Sequence, residues 1–333
     1  MAERLELIGD VGGTNARFAI AEASGLGLGL GFHSVETFPC EAFETPEAAI
    51  ESFLKAKGLP DPDAICLAAA GPVRQGAAEF TNNPWKLCEA NLKARFGAPL
   101  VRVSNDFEAI AHALPHLRAQ DVQVLGTKAL LSPGNEPFCY AVVGPGTGLG
   151  AAALLGHGGT AQVAVSEAGH MGFAPESPLQ DSILGALRQR FGRVSAERLV
   201  SGPGLENLYG ALCELKGFTP EARSAASIVA SAQDPADPLA MEAVTLFQRL
   251  LGQFAGDFAL AVGARQGLFL AGGVAQKLGA ALSTGPFREG FEAKGRHRGL
   301  LSSIPTALIT HPQPGLLGAA ALLRDLDPQQ AGA

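Results

Sequence analysis

The sequence predicts an α/β protein of two lobes, and three observations carry that expectation. The chain has 333 residues, and chains beyond ~250 residues usually divide their core, with a cleft between the halves as the default picture. Short apolar runs of strand length alternate with longer stretches of helical periodicity. A glycine turn recurs at Gly13-Thr14 and at Gly146-Thr147, 133 residues apart, each followed by a small-residue strand. That offset is too long for a solenoid repeat and suits a duplicated domain.

The elements follow in order. Leu5–Asp10 reads as a strand ending in the turn GDVGGTN, and Ala16–Ala21 as the next strand. His33–Phe38 is a third. Thr45 caps a helix that has Pro46 at its first position and runs to about Lys57. Ala64–Ala70 is a buried strand closed by Gly71-Pro72. Cys88–Phe96 is helical and Leu100–Ser104 a strand. Asn105-Asp106 stands at its end, before a helix from about Phe107 to Leu114 that Pro115 stops. The middle repeats the opening: strand Phe138–Val143, turn Gly144–Gly150, strand Ala151–Leu155. Helices are predicted near Pro178–Phe191, Gly204–Leu215 and Leu239–Val262. Strand Gly267–Ala271 ends in a third glycine turn at Gly272-Gly273. Strand Thr306–Thr310 leads to a last helix from Pro314-Gly315 to about Leu323.

Composition excludes several classes. Hydrophobic residues are 47% and charged residues 17%, the opposite of a disordered chain. The 42 glycines are nearly twice the usual ~7% and mark many tight turns. The net charge is −7 and no basic run forms a nucleic-acid footprint, so a bound anion must meet local donors. Five cysteines are scattered without a C-x-x-C pair, which excludes a zinc or disulfide framework and fits a reducing, cytoplasmic setting. The opening residues lack the apolar core of a signal peptide. Pro137–Ser166 carries no Asp, Glu, Lys or Arg, but Gly and Pro interrupt it too often for a membrane span, and it reads as buried strands and turns.

Four constellations carry chemistry. In Asp10-Val11-Gly12-Gly13-Thr14-Asn15 a carboxylate at a strand end precedes two glycines and two side-chain donors. Such glycines let amide N–H groups converge on an anion, although Gly-Gly also makes an ordinary hairpin. Asp10 would repel phosphate directly, which implies Mg²⁺ or its waters between them. Gly144–Gly150 is a second such nest, with Val143 where the first has Asp10. A Walker A loop is excluded because no Gly-Lys occurs. Gly146-x-Gly148-x-x-Ala151 approaches a dinucleotide fingerprint, but a strand-length segment follows where that motif opens a helix. Asn105-Asp106 suits either an active site at a strand end or a helix N-cap. Glu167 and His170, three apart across small residues, could converge on a polar ligand or form a surface pair. Ser195 could cap a helix bringing Glu197 with it. His112 and His116 lack a metal-site partner and read as structural.

Taken together, GDVGGTNARFAIAEA, FTNNPWKL, NDFEAIAHALP, GPGTGLGAA, SEAGHMGFAP, SAERLVSGPGLENLY, FLAGGVAQKL and PGLLGAAALL resemble bacterial glucokinases, in the order found there and over nearly the whole chain. These are ATP-dependent, hexokinase-like enzymes of the actin-like ATPase superfamily. The resemblance implies a two-lobed ribonuclease H-like fold with duplicated βββαβα cores and an active site in the interlobe cleft. It implies a small lobe over 1–110 and a large lobe over 111–333 whose C-terminal helix crosses back. It makes Gly9, Asp10, Val11, Gly12, Gly13, Thr14 and Asn15 one phosphate loop and Gly146, Thr147 and Gly148 the other. Gly272 and Gly273 fall in the adenosine pocket. Asp106 resembles the catalytic base, and Asn105, Asp106, Glu167, His170 and Glu197 the sugar ligands. ATP and Mg²⁺ are the implied cofactors, and a homodimer is the implied assembly, in keeping with the apolar composition. No nucleic acid or membrane partner is expected. The activity implied is phosphorylation of glucose at its 6-hydroxyl, with another hexose kinase or a non-catalytic sugar sensor as alternatives. Two departures stand out: Ala168 where the family often has Gly, and Gly172 where an acidic residue is common. The cysteine-rich zinc signature of related sugar kinases is absent.

Overall fold

The structure, a computed structural model, describes residues 4–22, 30–80, 83–130, 136–283 and 285–326. Thr81 and Asn82 of the FTNNPWKL motif lie outside them. The chain divides into two compact units, residues 1–118 with 311–333, and residues 119–310. The break expected after residue 110 would fall inside a helix, and the chain instead changes units after Arg118.

In the first unit, strands β1 (Glu6–Val11), β2 (Asn15–Ala21), β3 (Phe32–Pro39), β4 (Ala64–Ala69) and β8 (Leu100–Asn105) form one sheet, ordered β3-β2-β1-β4-β8. The hairpins β1–β2 and β2–β3 are antiparallel, while β1–β4 and β4–β8 are parallel. Alternation along each strand gives the sheet two apolar faces. Leu7, Phe18 and Ile65 face one core with Ile50 and Phe53 of helix α1 (Pro46–Lys57). Ile8, Ala19 and Cys66 face the other with Leu316, Ala319 and Leu323 of the C-terminal helix Pro314–Leu326. Central β4 is buried along its whole length, as a parallel strand covered on both faces must be. Thr45 caps α1 through the Ala48 amide at 3.2 Å, and Gly58 ends it at φ 64. Helix α2 (Glu89–Phe96) leads into β8, and α3 (Asp106–Ala113) follows it. The C-terminal helix lies so close to α3 that a Cβ on Gly318 would stand 1.7 Å from the Ala109 carbonyl oxygen. Pro115 does not end helical structure outright, since one 3₁₀ turn, Leu114–His116, intervenes. A small sheet of β5 (Val73–Arg74), β6 (Ala77–Glu79) and β7 (Lys86–Cys88) was not expected; its strands are too short for a periodic signal.

The second unit repeats the topology. Strands β10 (Phe138–Pro145), β11 (Leu149–His157), β12 (Thr160–Ser166), β13 (Gly267–Leu270) and β14 (Thr306–Ile309) are ordered β12-β11-β10-β13-β14, and β9 (Val122–Leu125) adds antiparallel to β14. Two antiparallel hairpins and two parallel pairs recur in the same places, which makes the duplication a matter of structure. The turns differ by one residue: Val11 pairs with Ala16 across four residues, Pro145 with Leu149 across three. The uncharged run to Ser166 is not buried throughout, because β12 is an edge strand with Val165 48% exposed. Helices α4 (Pro178–Phe191), α5 (Gly202–Leu215), α6 (Ala225–Ser231) and α7 (Pro238–Val262) are followed by shorter α8 (Gly273–Leu278), α9 (Pro286–Glu292) and α10 (Arg298–Ser303). Helix α7 is the core of this unit, with Phe247, Leu251 and Ala255 buried. No helix among the described residues is long and apolar enough to cross a membrane.

Two glycines test the packing in opposite directions. Gly318→Ala forces a methyl group onto a backbone oxygen, and overpacking of this kind costs about 1–3 kcal/mol. Gly185→Ala adds a carbon that meets nothing within 4 Å at an exposed position of α4, and is expected to stabilise by about 0.5–1 kcal/mol. Urea unfolding of both variants checks the pair; a Gly318→Ala protein as stable as its parent would contradict the close helix crossing.

Candidate active site

The first glycine turn sits at the carboxyl end of β1. Gly12 N donates to Asn15 O at 2.9 Å, and Cys40 N to Thr14 O at 2.8 Å. The Gly12 carbonyl accepts from Asn83 Nδ2 at 3.4 Å and the Cys40 thiol at 3.7 Å. The carbonyls are thereby occupied, while the amides of Gly13 and Thr14 have no partner among the described residues. Thr14 and Asn15 are exposed, so donors face solvent and acceptors face protein. Gly9 and Val11 serve this turn from beneath. A Cβ on Gly9 would stand 2.6 Å from Leu67, and the Val11 side chain lies in the core.

Asp10 is half-buried in β1. Arg17, opposite it on β2, approaches its Oδ2 to 3.5 Å. Burial raises the Asp10 pKa above the ordinary carboxylate value, and Arg17 offsets this only in part. The start of the C-terminal helix faces the same carboxylate: a Cβ on Gly315 would stand 3.1 Å from it. A hard oxygen donor short of positive charge is a fitting ligand for Mg²⁺ or its water shell.

Asn105 and Asp106 divide the work at the end of β8. Asn105 is the N-cap of α3. Its Oδ1 accepts from the amides of Phe107 at 2.9 Å and Glu108 at 3.3 Å, and Glu108 Oε2 returns a bond to the Asn105 amide at 3.2 Å. Its Nδ2 donates to Gly71 O at 2.9 Å. This is a capping box, and Arg102 holds Glu108 in place at 2.9 Å. Capping therefore falls to Asn105. Asp106 is the first helical residue, and its Oδ1 accepts from Phe107 N at 2.9 Å.

In the second unit several backbone segments close around the other turn. Gly146 N donates to Gly148 O at 2.8 Å, and Gly202 N, in the first turn of α5, donates to Gly146 O at 2.8 Å. Gly272 has φ 86 and lies so near that a Cβ would stand 2.6 Å from Pro145 O. Only glycine meets both conditions. Gly273 begins α8 with open space around its Cα, and Thr147 is exposed. Val143 is buried in the sheet, so this turn has no counterpart of Asp10. A carboxylate reaches it from elsewhere, because Glu197 Oε2 accepts from Leu149 N at 3.0 Å.

Glu167, His170 and Glu197 are brought together by backbone pairing. Residues 167–173 and 193–197 are joined by Ala196 N to Met171 O at 2.9 Å, Phe173 N to Val194 O at 3.2 Å and a bridge between Gly172 and Ser195. Arg193 Nη2 donates to His170 O at 2.7 Å. Glu167 and His170 are exposed, and Glu197 is half-buried. Gly169 is pressed against β11, where a Cβ would fall 2.2 Å from Leu149 O. Ala168 lies in a 3₁₀ turn, Ala168–His170, outside the positive-φ residues, so Ala replaces Gly there without strain. Gly172 is exposed and open around its Cα. Ser195 precedes a single 3₁₀ turn and its side chain makes no capping bond. The capping serine is Ser201, whose Oγ accepts from Gly204 N at 3.0 Å and donates to Glu197 O at 2.8 Å.

Comparisons with known proteins identify the family. The glucokinase family model matches residues 7–326. The chain belongs to the glucokinase family. It is 42% identical to glucokinase of Zymomonas mobilis subsp. mobilis over 94% of this chain and 95% of that one. It is 40% identical to glucokinase of Caulobacter sp. strain K31 over 96% and 95%. The crystal structure of glucokinase from an Antarctic psychrotroph superposes with a TM-score of 0.88, at 34% identity, over 96% of this chain and 99% of that one. The family fold is the two-lobed actin-like ATPase fold, consistent with the two sheets of shared topology described above.

Three supporting residues of this glucokinase-family chain escaped the sequence reading. Ser201-Gly202-Pro203 carried a legible signal, a capping serine with Pro in the first turn. Asn83 and Gly315 carried none, since their contacts with Gly12 and Asp10 are made across long stretches of chain.

Asp10 yields a pH-dependent prediction. A raised folded-state pKa means that ionised Asp10 costs stability. The cost is complete above that pKa and vanishes below the unfolded value of about 3.9. Asp10→Asn is therefore expected to melt no lower than its parent at pH 7 without ligands, with any gain fading as the pH approaches about 4, while MgATP affinity drops. Thermal melts across that range check it; a markedly lower neutral-pH melting temperature would show that the Arg17 pair outweighs burial.

Proposed function

We propose that this chain transfers the γ-phosphoryl group of MgATP to the 6-hydroxyl of glucose, giving glucose 6-phosphate and ADP. The observation that carries the reading is the division between Asn105 and Asp106 in a chain of the glucokinase family. The helix N-terminus is capped by the first, so the cap does not depend on the carboxylate of the second. Asp106 accepts the proton of the 6-hydroxyl as that oxygen attacks the γ-phosphorus in line. Its Oδ1 accepts from Phe107 N at 2.9 Å, which orients the carboxylate at the start of α3.

Glu167, His170 and Glu197 take sugar hydroxyls, with carboxylates accepting and the imidazole donating or accepting. The second hydrogen on Asn105 Nδ2 serves a further hydroxyl. The amides of Gly13 and Thr14 in the first turn and of Thr147 and Gly148 in the second receive phosphate oxygens, and the Gly272-Gly273 turn borders the adenosine. Asp10 would hold Mg²⁺, directly or through water, and the ion would neutralise charge on the polyphosphate. Asp10 itself keeps a carboxylate at the first turn without touching phosphate. A cytoplasmic setting belongs to the same reading, supported by five free cysteines, four of them buried. So does pairing of two copies, supported by the apolar composition and checked by size-exclusion chromatography with light scattering.

The decisive experiment pairs Asp106→Asn with Asn105→Ala. Removal of a general base costs ~10²–10⁴-fold in rate. Asp106→Asn is expected to lose turnover in that range while still showing a glucose-induced thermal shift. Asn105→Ala is expected to lose about 1 kcal/mol of stability through the missing cap. An Asp106→Asn enzyme within about threefold of parental turnover would lie outside the general-base range and remove the assignment. A hexose panel with ATP as donor, in which glucose 6-phosphate did not form, would remove the substrate.

A further inference from the structure

Glu197 belongs to two neighbourhoods of the second unit at once. Its backbone lies in the segment zipped to residues 167–173, which carry Glu167 and His170. Its carboxylate reaches the glycine turn: Oε2 accepts from Leu149 N at 3.0 Å and would stand 2.7 Å from a Cβ on Gly148. The anchor beneath it is fixed. Ser201 Oγ donates to Glu197 O and accepts from Gly204 N, while Gly202 N holds Gly146 O. The Glu197 backbone, the cap of α5 and the turn thus form one hydrogen-bonded circuit. A carboxylate has two oxygens, each able to accept, and Oε1 of Glu197 accepts nothing among the described residues.

We infer that Glu197 couples sugar occupancy to the phosphate-binding turn. Oε2 stays on the Leu149 amide, and Oε1 accepts a sugar hydroxyl. The inference rests on the proposed reading of Glu197 as a sugar ligand. Its sign follows from electrostatics. A lone carboxylate beside the amides of Thr147 and Gly148 opposes a phosphate anion by like-charge repulsion. A hydroxyl donating to Oε1 spreads that charge and pins the carboxylate in place. Glucose therefore tightens the nucleotide, and by linkage the nucleotide tightens glucose by the same factor.

The test measures binding of a non-hydrolysable ATP analogue, AMPPNP with Mg²⁺, by calorimetry with and without saturating glucose. In the parent, glucose is expected to tighten the analogue about fivefold or more, and in Glu197→Ala the ratio should fall to about one. Glu167→Ala should need more glucose yet keep the parental ratio. Glu197→Gln, which retains an acceptor for the Leu149 amide but carries no charge, should lose the coupling as Glu197→Ala does. A parental ratio of one, or a parental ratio persisting in Glu197→Ala, overturns the inference. So does full coupling in the Gln variant, because repulsion would then not carry the effect. A second readout needs no variant: glucose should move the Leu149 amide resonance of isotope-labelled parent protein, and an unmoved resonance overturns the coupling even where Glu197→Ala does not fold. If none of Glu167→Ala, His170→Ala and Glu197→Ala weakens glucose, the sugar-site reading fails instead. If glucose weakens but the ratio in Glu197→Ala persists, only the coupling fails.

Discussion

A hairpin turn suited to receive phosphate must leave some of its amide hydrogens unpaired while its carbonyls are held from the protein side. Free amides are costly when buried, so the turns stay at the surface and are held by their carbonyls. Cys40 and Asn83 do this for the first turn, and Gly202 for the second. Each brace comes from a different part of its unit. The small sheet between β4 and β8 delivers Asn83, and the serine-capped start of α5 delivers Gly202. Much of the irregular chain between the core strands can be understood as the means of bringing these braces to the turns.

Duplication supplied two equivalent hairpins, and the differences between them assign their roles. The first has Asp10 in its leading strand, the second a buried Val143 at the aligned position. A carboxylate on each turn at that place would double the repulsion of a polyphosphate. The second turn instead receives its negative charge from Glu197, a half-buried residue on another segment, whose second oxygen is left for a hydroxyl donor. The two carboxylates near the turns are thus of different kinds. One carries a raised pKa and suits a cation, and the other is positioned by a backbone amide and suits a neutral hydroxyl.

Most of the core was legible in the sequence because periodicity reports burial. The strands of both sheets from β1 to β4 and at β10, and the helices α1, α4 and α7, lie where the apolar spacing, caps and glycines put them to within a residue or two. Strand β12 and the sheet of β5 to β7 escaped, the first because an exposed edge strand does not show a buried run, the second because two or three residues carry no period. At the site, residue types pointed to the glycine turns and to Asp106. The sequence signal could not separate a cap from a base when Asn and Asp stand side by side. The side-chain bonds assign the cap to Asn105, which accepts from the amides of Phe107 and Glu108. Contacts such as Asn83 to Gly12 and Gly315 to Asp10 were illegible for a simpler reason: spatial neighbours far apart in sequence leave no spacing to read.

The same close approaches that build the site restrict what it can become. Gly169 and Gly272 stand where an added carbon would strike Leu149 O or Pro145 O, so backbone rather than side chains fills the space around the second turn. Such contacts are stiff, because a carbonyl held in a sheet or helix cannot swing away as a side chain does. Exposed Glu167 and His170 are under no such restriction, and neither is Gly172, around which space is open. On the proposed reading, phosphate handling is built into the backbone, whereas sugar recognition rests on side chains. On this footing a change of hexose is accessible through residues 167, 170 and 172, while a change of phosphoryl donor would require the turns themselves to be rebuilt.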